Sequence, residues 1–192
     1  LKRQLQVDSL KGFAIDNFPL GITSAGALLI YLEQTHHTGL TNICSISRID
    51  EGAFVWMDRF TFRNLEIFSS TAGKEGTSLV DVMDKCSSPM GARMLRSWLA
   101  MPVMDLQELE DRYSVVQHFV DNGDDLSALQ TMIGDIGDLE RIISRAAAGK
   151  IMPREVMQLR RGLSQTAPII ELCKGKVEAL DVLLGKMSDC AE

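Results

Sequence analysis

The sequence has few aromatic residues and no long apolar run. Phe, Trp and Tyr together make up 6% of its 192 residues, which gives little support to base stacking on single-stranded nucleic acid. The most apolar stretch, residues 26–32, is shorter than the roughly 20 residues needed to cross a bilayer. The first residues do not predict a signal peptide. Because the first residue is Leu1 rather than Met, we expect an excised segment of a longer protein.

Closely spaced cysteines are also lacking. The four cysteines are far apart and none forms a Cys-x-x-Cys pair: Cys44, Cys86, Cys173 and Cys190. A zinc site or a redox pair would need shorter spacing. The sequence therefore predicts reduced, partly buried thiols, as is typical of a cytoplasmic protein.

An excess of positive charge is missing as well. The chain has 20 Lys and Arg against 26 Asp and Glu, for a formal net charge of −6. A domain that grips duplex DNA through its phosphates is expected to be basic. Direct duplex binding is therefore not expected as the main task of this chain.

Motifs of catalysis and nucleotide binding are absent too. A Walker A loop needs a glycine five residues before its Gly-Lys pair and a Ser or Thr after it, but Gly73-Lys74 has Phe68 and Glu75 at those positions. No serine stands in a Gly-x-Ser-x-Gly elbow. The histidines, His36, His37 and His118, lack a spacing typical of metal ligands. We predict no catalytic, cofactor-binding or metal-binding residue in this segment.

Helix signals are abundant, and residues 88–105 give the clearest set. Ser88 is placed to cap a helix, and Pro89 stands at the first helical position, where a missing N–H costs nothing. Met94, Leu95 and Trp98 recur on one face, so we expect them to point at a core. Pro102 ends this helix, and Asp105 caps the next.

The remaining segments predict a mainly α fold. Thr23 or Ser24 is expected to cap a helix that runs to about Gln34, and residues 77–184 carry further short-linked amphipathic helices. Residues 43–49 and 53–57, joined by a turn at 50–52, predict a small β-hairpin near the N-terminal third. The expected architecture is a multi-helix bundle with that hairpin.

A cluster of basic residues stands out in a chain whose net charge is negative. Its members are Arg141, Arg145, Lys150, Arg154, Arg160 and Arg161. Pairing with neighbours such as Asp138 and Glu155, together with ordinary surface solvation, is the interpretation that we favour. The alternative is a weak contact with a phosphate backbone or with an acidic partner.

Three stretches resemble the core domain of the DNA mismatch repair MutS family. The first is residues 26–32, the second runs from Met57-Asp58 through Arg63-Asn64-Leu65-Glu66 to Asp105, and the third is residues 137–145 with Gly137-Asp138-Leu139-Glu140-Arg141. With the spacing between them, the resemblance covers about residues 10–170.

The resemblance implies a segment of a large dimeric ATPase that encircles DNA and detects mispaired bases. Residues 1–38 would be the end of the connector domain with its linking helix. Residues 39–192 would be the first part of the helical core, or lever, domain. ATP and magnesium would bind the parent protein outside this chain, so no cofactor is expected here. The implied partners are other domains of the same chain, the second subunit of a dimer on mismatched DNA, and a downstream repair factor. The implied location is the cytoplasm, at the nucleoid, with no membrane contact.

The expected role is mechanical: the segment would link the mismatch-binding and ATPase ends and transmit conformational change between them. Two alternatives stay open. The segment could dock a repair partner, or it could come from a paralogue devoted to recombination. The Phe-x-Glu motif of mismatch readers is absent from this chain, so no mismatch-contacting residue carries over to any position in it.

Overall fold

The computed structural model describes residues 1–35, 40, 43–49 and 51–187. The chain divides into two compact units. The first unit is Leu1–Asp50 with Ser144–Lys150, and the second is Glu51–Ile143 with Ile151–Glu192. The predicted domain boundary between residues 38 and 39 concerns a longer parent protein and stays a prediction.

Helices dominate the described residues, which confirms the mainly α prediction. None of these helices is long and apolar enough to cross a membrane. In chain order they are α1 (Lys2–Leu5), α2 (Pro19–Thr35), α3 (Arg59–Asn64), α4 (Leu79–Met83), α5 (Pro89–Ala100), α6 (Leu106–Asp121), α7 (Gly123–Ile136), α8 (Leu139–Ala147), α9 (Pro153–Ser164), α10 (Thr166–Cys173) and α11 (Glu178–Leu184).

The first unit packs around a small apolar cluster near its N-terminus. Leu5, Leu10 and Ile15 are buried together. The predicted start of α2 at Thr23 or Ser24 is wrong, because Pro19 occupies the first helical position, where its fixed backbone angle suits a helix. Thr23 lies inside the helix instead, and its hydroxyl donates to the Pro19 carbonyl at 2.8 Å.

The predicted β-hairpin is wrong. Residues 43–49 form no strand, and Glu51–Ala53 is a 3₁₀ turn. Phe54 instead makes an isolated antiparallel bridge to Val103. The Val55 N–H donates to the Pro102 carbonyl at 2.8 Å, and the Met104 N–H donates to the Ala53 carbonyl at 3.0 Å. Residues 53–55 therefore form their backbone hydrogen bonds with residues 102–104 rather than with the preceding segment.

The helix starts in the second unit follow the predicted chemistry. The Ser88 hydroxyl accepts from the Gly91 N–H at 3.1 Å, with Pro89 at the first position of α5. The Asp105 carboxylate accepts from the Glu108 N–H at 2.8 Å at the start of α6. Both caps satisfy backbone donors that a helix cannot pair internally. The predicted boundaries here are confirmed.

The core of the second unit lies where α6, α7, α10 and α11 meet. Ile169, Cys173 and Leu180 are buried there against apolar side chains of α6 and α7. The expectation that Met94 and Trp98 face a core is wrong, since both are exposed. The Arg112 guanidinium lies over one face of the Trp98 ring, 3.7 Å from its centroid, so this face contacts a cation rather than an apolar core.

Candidate functional site

The six basic residues of the predicted contact surface are divided between the two units. Arg145 and Lys150 belong to the first unit, and the other four belong to the second. In the first unit the Arg145 side chain donates to the Lys150 carbonyl at 3.3 Å, near the end of α8. Arg141 lies in the first turn of α8, where its backbone N–H donates to Asp138 at 3.3 Å.

Two of the four basic residues in the second unit line one groove, which we call the basic groove. On its α9 side the groove is lined by Arg154, Met157, Gln158, Arg161, Ser164 and Gln165. On its α7 side it is lined by Gly134, Asp135 and Gly137. Its volume is about 580 Å³. Arg160 lies on the same helix but does not line the groove, so the structure separates two neighbouring arginines that the sequence grouped together.

The sequence builds the groove by anchoring α9 at its start. Pro153 stands at the first helical position, and the Glu155 carboxylate accepts from the Met152 N–H at 2.9 Å. This bond satisfies one of the unpaired donors at the helix N-terminus and places a negative charge there. The first turn of α9, which carries Arg154, is therefore held in place.

Two glycines let α9 approach the end of α7 closely. A Cβ at Gly162 would lie 2.6 Å from the Ile136 carbonyl oxygen and 2.7 Å from the Leu139 side chain. Gly137 has a φ of +73°, and a Cβ there would lie 2.8 Å from the Gln158 amide nitrogen. Positive φ and close approach both favour glycine. Gly137 lines the basic groove, and Gly162 permits the close contact of the two helices that form its walls.

A second polar arrangement, which we call the Arg93 clasp, joins α5 to the start of α8. The Arg93 guanidinium donates to both carboxylate oxygens of Asp138, at 2.7 and 2.9 Å. It also donates to Glu140, at 2.6 and 3.0 Å. The hydrogen bonds to Asp138 and then to Glu140 raise the pKa of Arg93. Two-pronged arginine–carboxylate pairs are among the strongest polar contacts in proteins.

Sequence reasoning missed the Arg93 clasp. The sequence alone predicts pairing of Asp138 with the basic cluster, no contact for Glu140 and no role for Arg93. The available signal was the position of all three residues within the stretches that carry the family resemblance. The contact itself joins residues 45 and 47 positions apart, and local patterning does not report such distances.

His118 has an acidic neighbour that its own helix does not supply. Its Nε2 atom lies 3.4 Å from the Asp125 carboxylate, and the Lys176 ammonium lies 2.9 Å from the same group. The hydrogen bond from Lys176, and to a smaller extent the nearby His118, lowers the pKa of Asp125. The three side chains link α6, α7 and the loop after α10, which is a structural role. His36 and His37 lie outside the described residues.

The described residues hold no group of three or more His, Cys, Asp or Glu side chains placed to bind a metal ion. Cys44 and Cys86 are exposed free thiols, and Cys173 is a buried one. Cys190 lies outside the described residues. The basic groove and the Arg93 clasp offer charge and hydrogen bonds, which suit binding and mechanical linkage.

Comparison with known proteins gives consistent matches. Residues 60–188 match the family model for MutS domain III. A DNA mismatch repair protein MutS from Christiangramia forsetii is 47% identical over 191 residues, which are 99% of this chain and 22% of the relative. The proteins of the same name from Flavobacterium psychrophilum and Parabacteroides distasonis are 44% and 43% identical, over 99% and 100% of this chain. The chain spans about a fifth of the length of these curated relatives, 22% in each case.

Proposed function

The chain belongs to the MutS domain III family, and from that premise we propose that it acts as a lever in a DNA mismatch repair protein. In this proposal the segment carries conformational change between a mismatch-binding end and an ATPase end that both lie outside the chain. It does so without chemistry of its own. ATP and magnesium bind the parent elsewhere, and the parent works as a dimer on mismatched DNA in the cytoplasm.

The Arg93 clasp is the observation that carries this proposal. A lever must move as one piece, so its helices need fixed connections between segments that are distant in sequence. Arg93 supplies such a connection through four hydrogen bonds between α5 and the start of α8. Close-packed, hydrogen-bonded elements shift between discrete arrangements rather than deform gradually. The names of the relatives concern mismatch repair, which favours repair over recombination.

The test is the variant Arg93→Met in the full-length protein. It keeps an unbranched aliphatic side chain in place of the stem of Arg93 and removes every hydrogen bond of the clasp. We expect basal ATPase activity to stay unchanged, because no ATPase residue is altered. The stimulation of ATPase by mismatched DNA should fall several-fold.

The matched control is Arg59→Met. Arg59 is an exposed arginine of the same unit that forms no ion pair among the described residues. Its replacement should leave mismatch stimulation intact. If Arg93→Met loosens the fold in a denaturation experiment while mismatch stimulation stays at the wild-type level, the lever proposal is contradicted.

A further inference from the structure

The basic groove presents two guanidinium groups on one face of α9. Arg154 and Arg161 are seven residues apart, which is two helical turns or about 10 Å along the helix axis. Both are exposed, and neither forms an ion pair among the residues that the structure describes. Two arginines against Asp135 alone leave the charged lining of the groove positive.

Uncharged polar groups accompany the arginines. Gln158 lines the groove between them, and Gln165 lies one turn beyond Arg161. Each glutamine amide offers both donors and an acceptor, which is the pattern needed to pair with the N–H and C=O groups of a peptide backbone. Met157 adds a flexible apolar surface to the same wall, and methionine adapts readily to different ligand shapes.

We propose that the basic groove binds a short acidic peptide segment of a partner protein. The two guanidinium groups would pair with Asp or Glu carboxylates of the peptide, and the glutamine amides would hold its backbone. The site is independent of the lever proposal, since it requires no movement of the chain.

A nucleic acid fits the groove less well than a peptide. The lining contains no aromatic side chain on which a base could stack. A long polyanion would also meet a chain of net charge −6, whereas phosphate-driven binding needs many cations in a row. A ligand with one or two carboxylates avoids both obstacles.

The test measures fluorescence anisotropy with this chain and a fluorescein-labelled peptide of alternating Glu and Ser. The same peptide with Gln in place of Glu serves as the uncharged probe, and labelled oligothymidylate serves as the nucleic-acid probe. The acidic peptide should bind at low salt, and binding should weaken as salt rises. The other two probes should bind at least roughly tenfold more weakly, the loss expected for one charge-assisted hydrogen bond.

The decisive comparison is between neighbouring arginines. The double variant Arg154→Glu, Arg161→Glu should lose peptide binding, and the milder Arg154→Gln, Arg161→Gln should weaken it by roughly tenfold. Arg160→Glu changes the charge on the same helix outside the groove and should bind like the wild type. Circular dichroism checks that each variant is folded.

Three results would overturn the proposal. The first is equal binding of the Glu and Gln peptides. The second is an Arg160→Glu variant that loses as much affinity as the groove variants, which would indicate a diffuse charge effect. The third is tighter binding of oligothymidylate than of the acidic peptide, lost in the same groove variants, which would make the groove a nucleic-acid site.

Discussion

Asp138 serves two purposes with one side chain. Its carboxylate accepts from the Arg141 N–H in the first turn of α8 and also receives the Arg93 guanidinium. The hydrogen bond from Arg93, followed by the one from the Arg141 backbone, lowers the pKa of Asp138. The charged form of this side chain is therefore the one that the folded protein favours.

A pH dependence follows from that shift. Because folding lowers the pKa of Asp138, its contribution is fully present above the unfolded value of about 3.9 and is lost as the pH falls through the lower folded value. Asp138→Asn keeps the shape and removes the charge. In urea denaturation the wild type should be more stable than this variant near about pH 7, with the difference closing toward about pH 3. A difference that stays constant over this range would contradict the assignment.

Cys173 provides a second test at a single side chain. It is 3% exposed, and burial raises its pKa, so both access and thiolate content are reduced. Brief alkylation of the folded chain with iodoacetamide, followed by peptide mass spectrometry, should modify Cys44 well before Cys173. In urea the difference should disappear. Equal labelling of the two thiols in the folded chain would show that the core around α10 is open.

Local sequence rules predict where helices begin, but they do not predict contacts between segments that are distant in the chain. Ser88, Pro89 and Asp105 fix the starts of α5 and α6 through contacts within one turn, so the sequence is sufficient to place them. The bridge from Phe54 to Val103 joins residues far apart in the chain. The alternation of residues 43–49 suggested a nearer partner, and a hairpin was wrongly predicted.

The basic groove likewise combines a local feature, which the sequence can predict, with a long-range contact, which it cannot. The spacing of Arg154 and Arg161 places them on one face of a helix, which the sequence alone could have indicated. The opposite wall depends on the close approach of α7, and only the structure shows that Gly137 and Gly162 permit it. The sequence alone places Arg160 in the same basic cluster as Arg161, because it does not establish which of these two neighbouring side chains lines a groove.

The contact between α7 and α9 predicts the effect of Gly162→Ala. The new methyl group would lie 2.6 Å from a backbone oxygen, which cannot move as a side chain can, so the free energy of unfolding should fall by about 1–3 kcal/mol. Gly134→Ala is the matched control on α7, where nothing lies within 4 Å of the added methyl. That variant should gain about 0.5–1 kcal/mol from helix propensity. Urea denaturation of both variants makes the comparison, and a neutral Gly162→Ala would contradict the packing.

Taken as a whole, the chain exposes many apolar side chains in its second unit. Trp56 is 75% exposed and Trp98 is 43% exposed, and Phe60, Leu106 and Tyr113 are also exposed. Large exposed apolar surfaces usually mark contact sites. The matched relatives are several times longer than this chain, and we expect other parts of the parent protein to cover these faces.

The fluorescence of Trp56 tests whether other parts of the parent protein cover this face. In a Trp98→Phe background it is the sole tryptophan of this chain, and iodide should quench its fluorescence efficiently. In the full-length protein, with its remaining tryptophans also replaced by Phe, the quenching of Trp56 should be much weaker. Equal quenching in the two proteins would show that this face stays open to solvent in the parent.

The central claim is that the Arg93 clasp transmits conformational change, and a double-mutant cycle tests it most directly. Arg93→Met, Asp138→Asn and the two together are placed in the full-length protein, and mismatch-stimulated ATPase activity is measured for each. If the clasp acts as one connection, the double variant loses little more stimulation than Arg93→Met alone. Losses that simply add, or stimulation that survives in all three variants, would contradict the account.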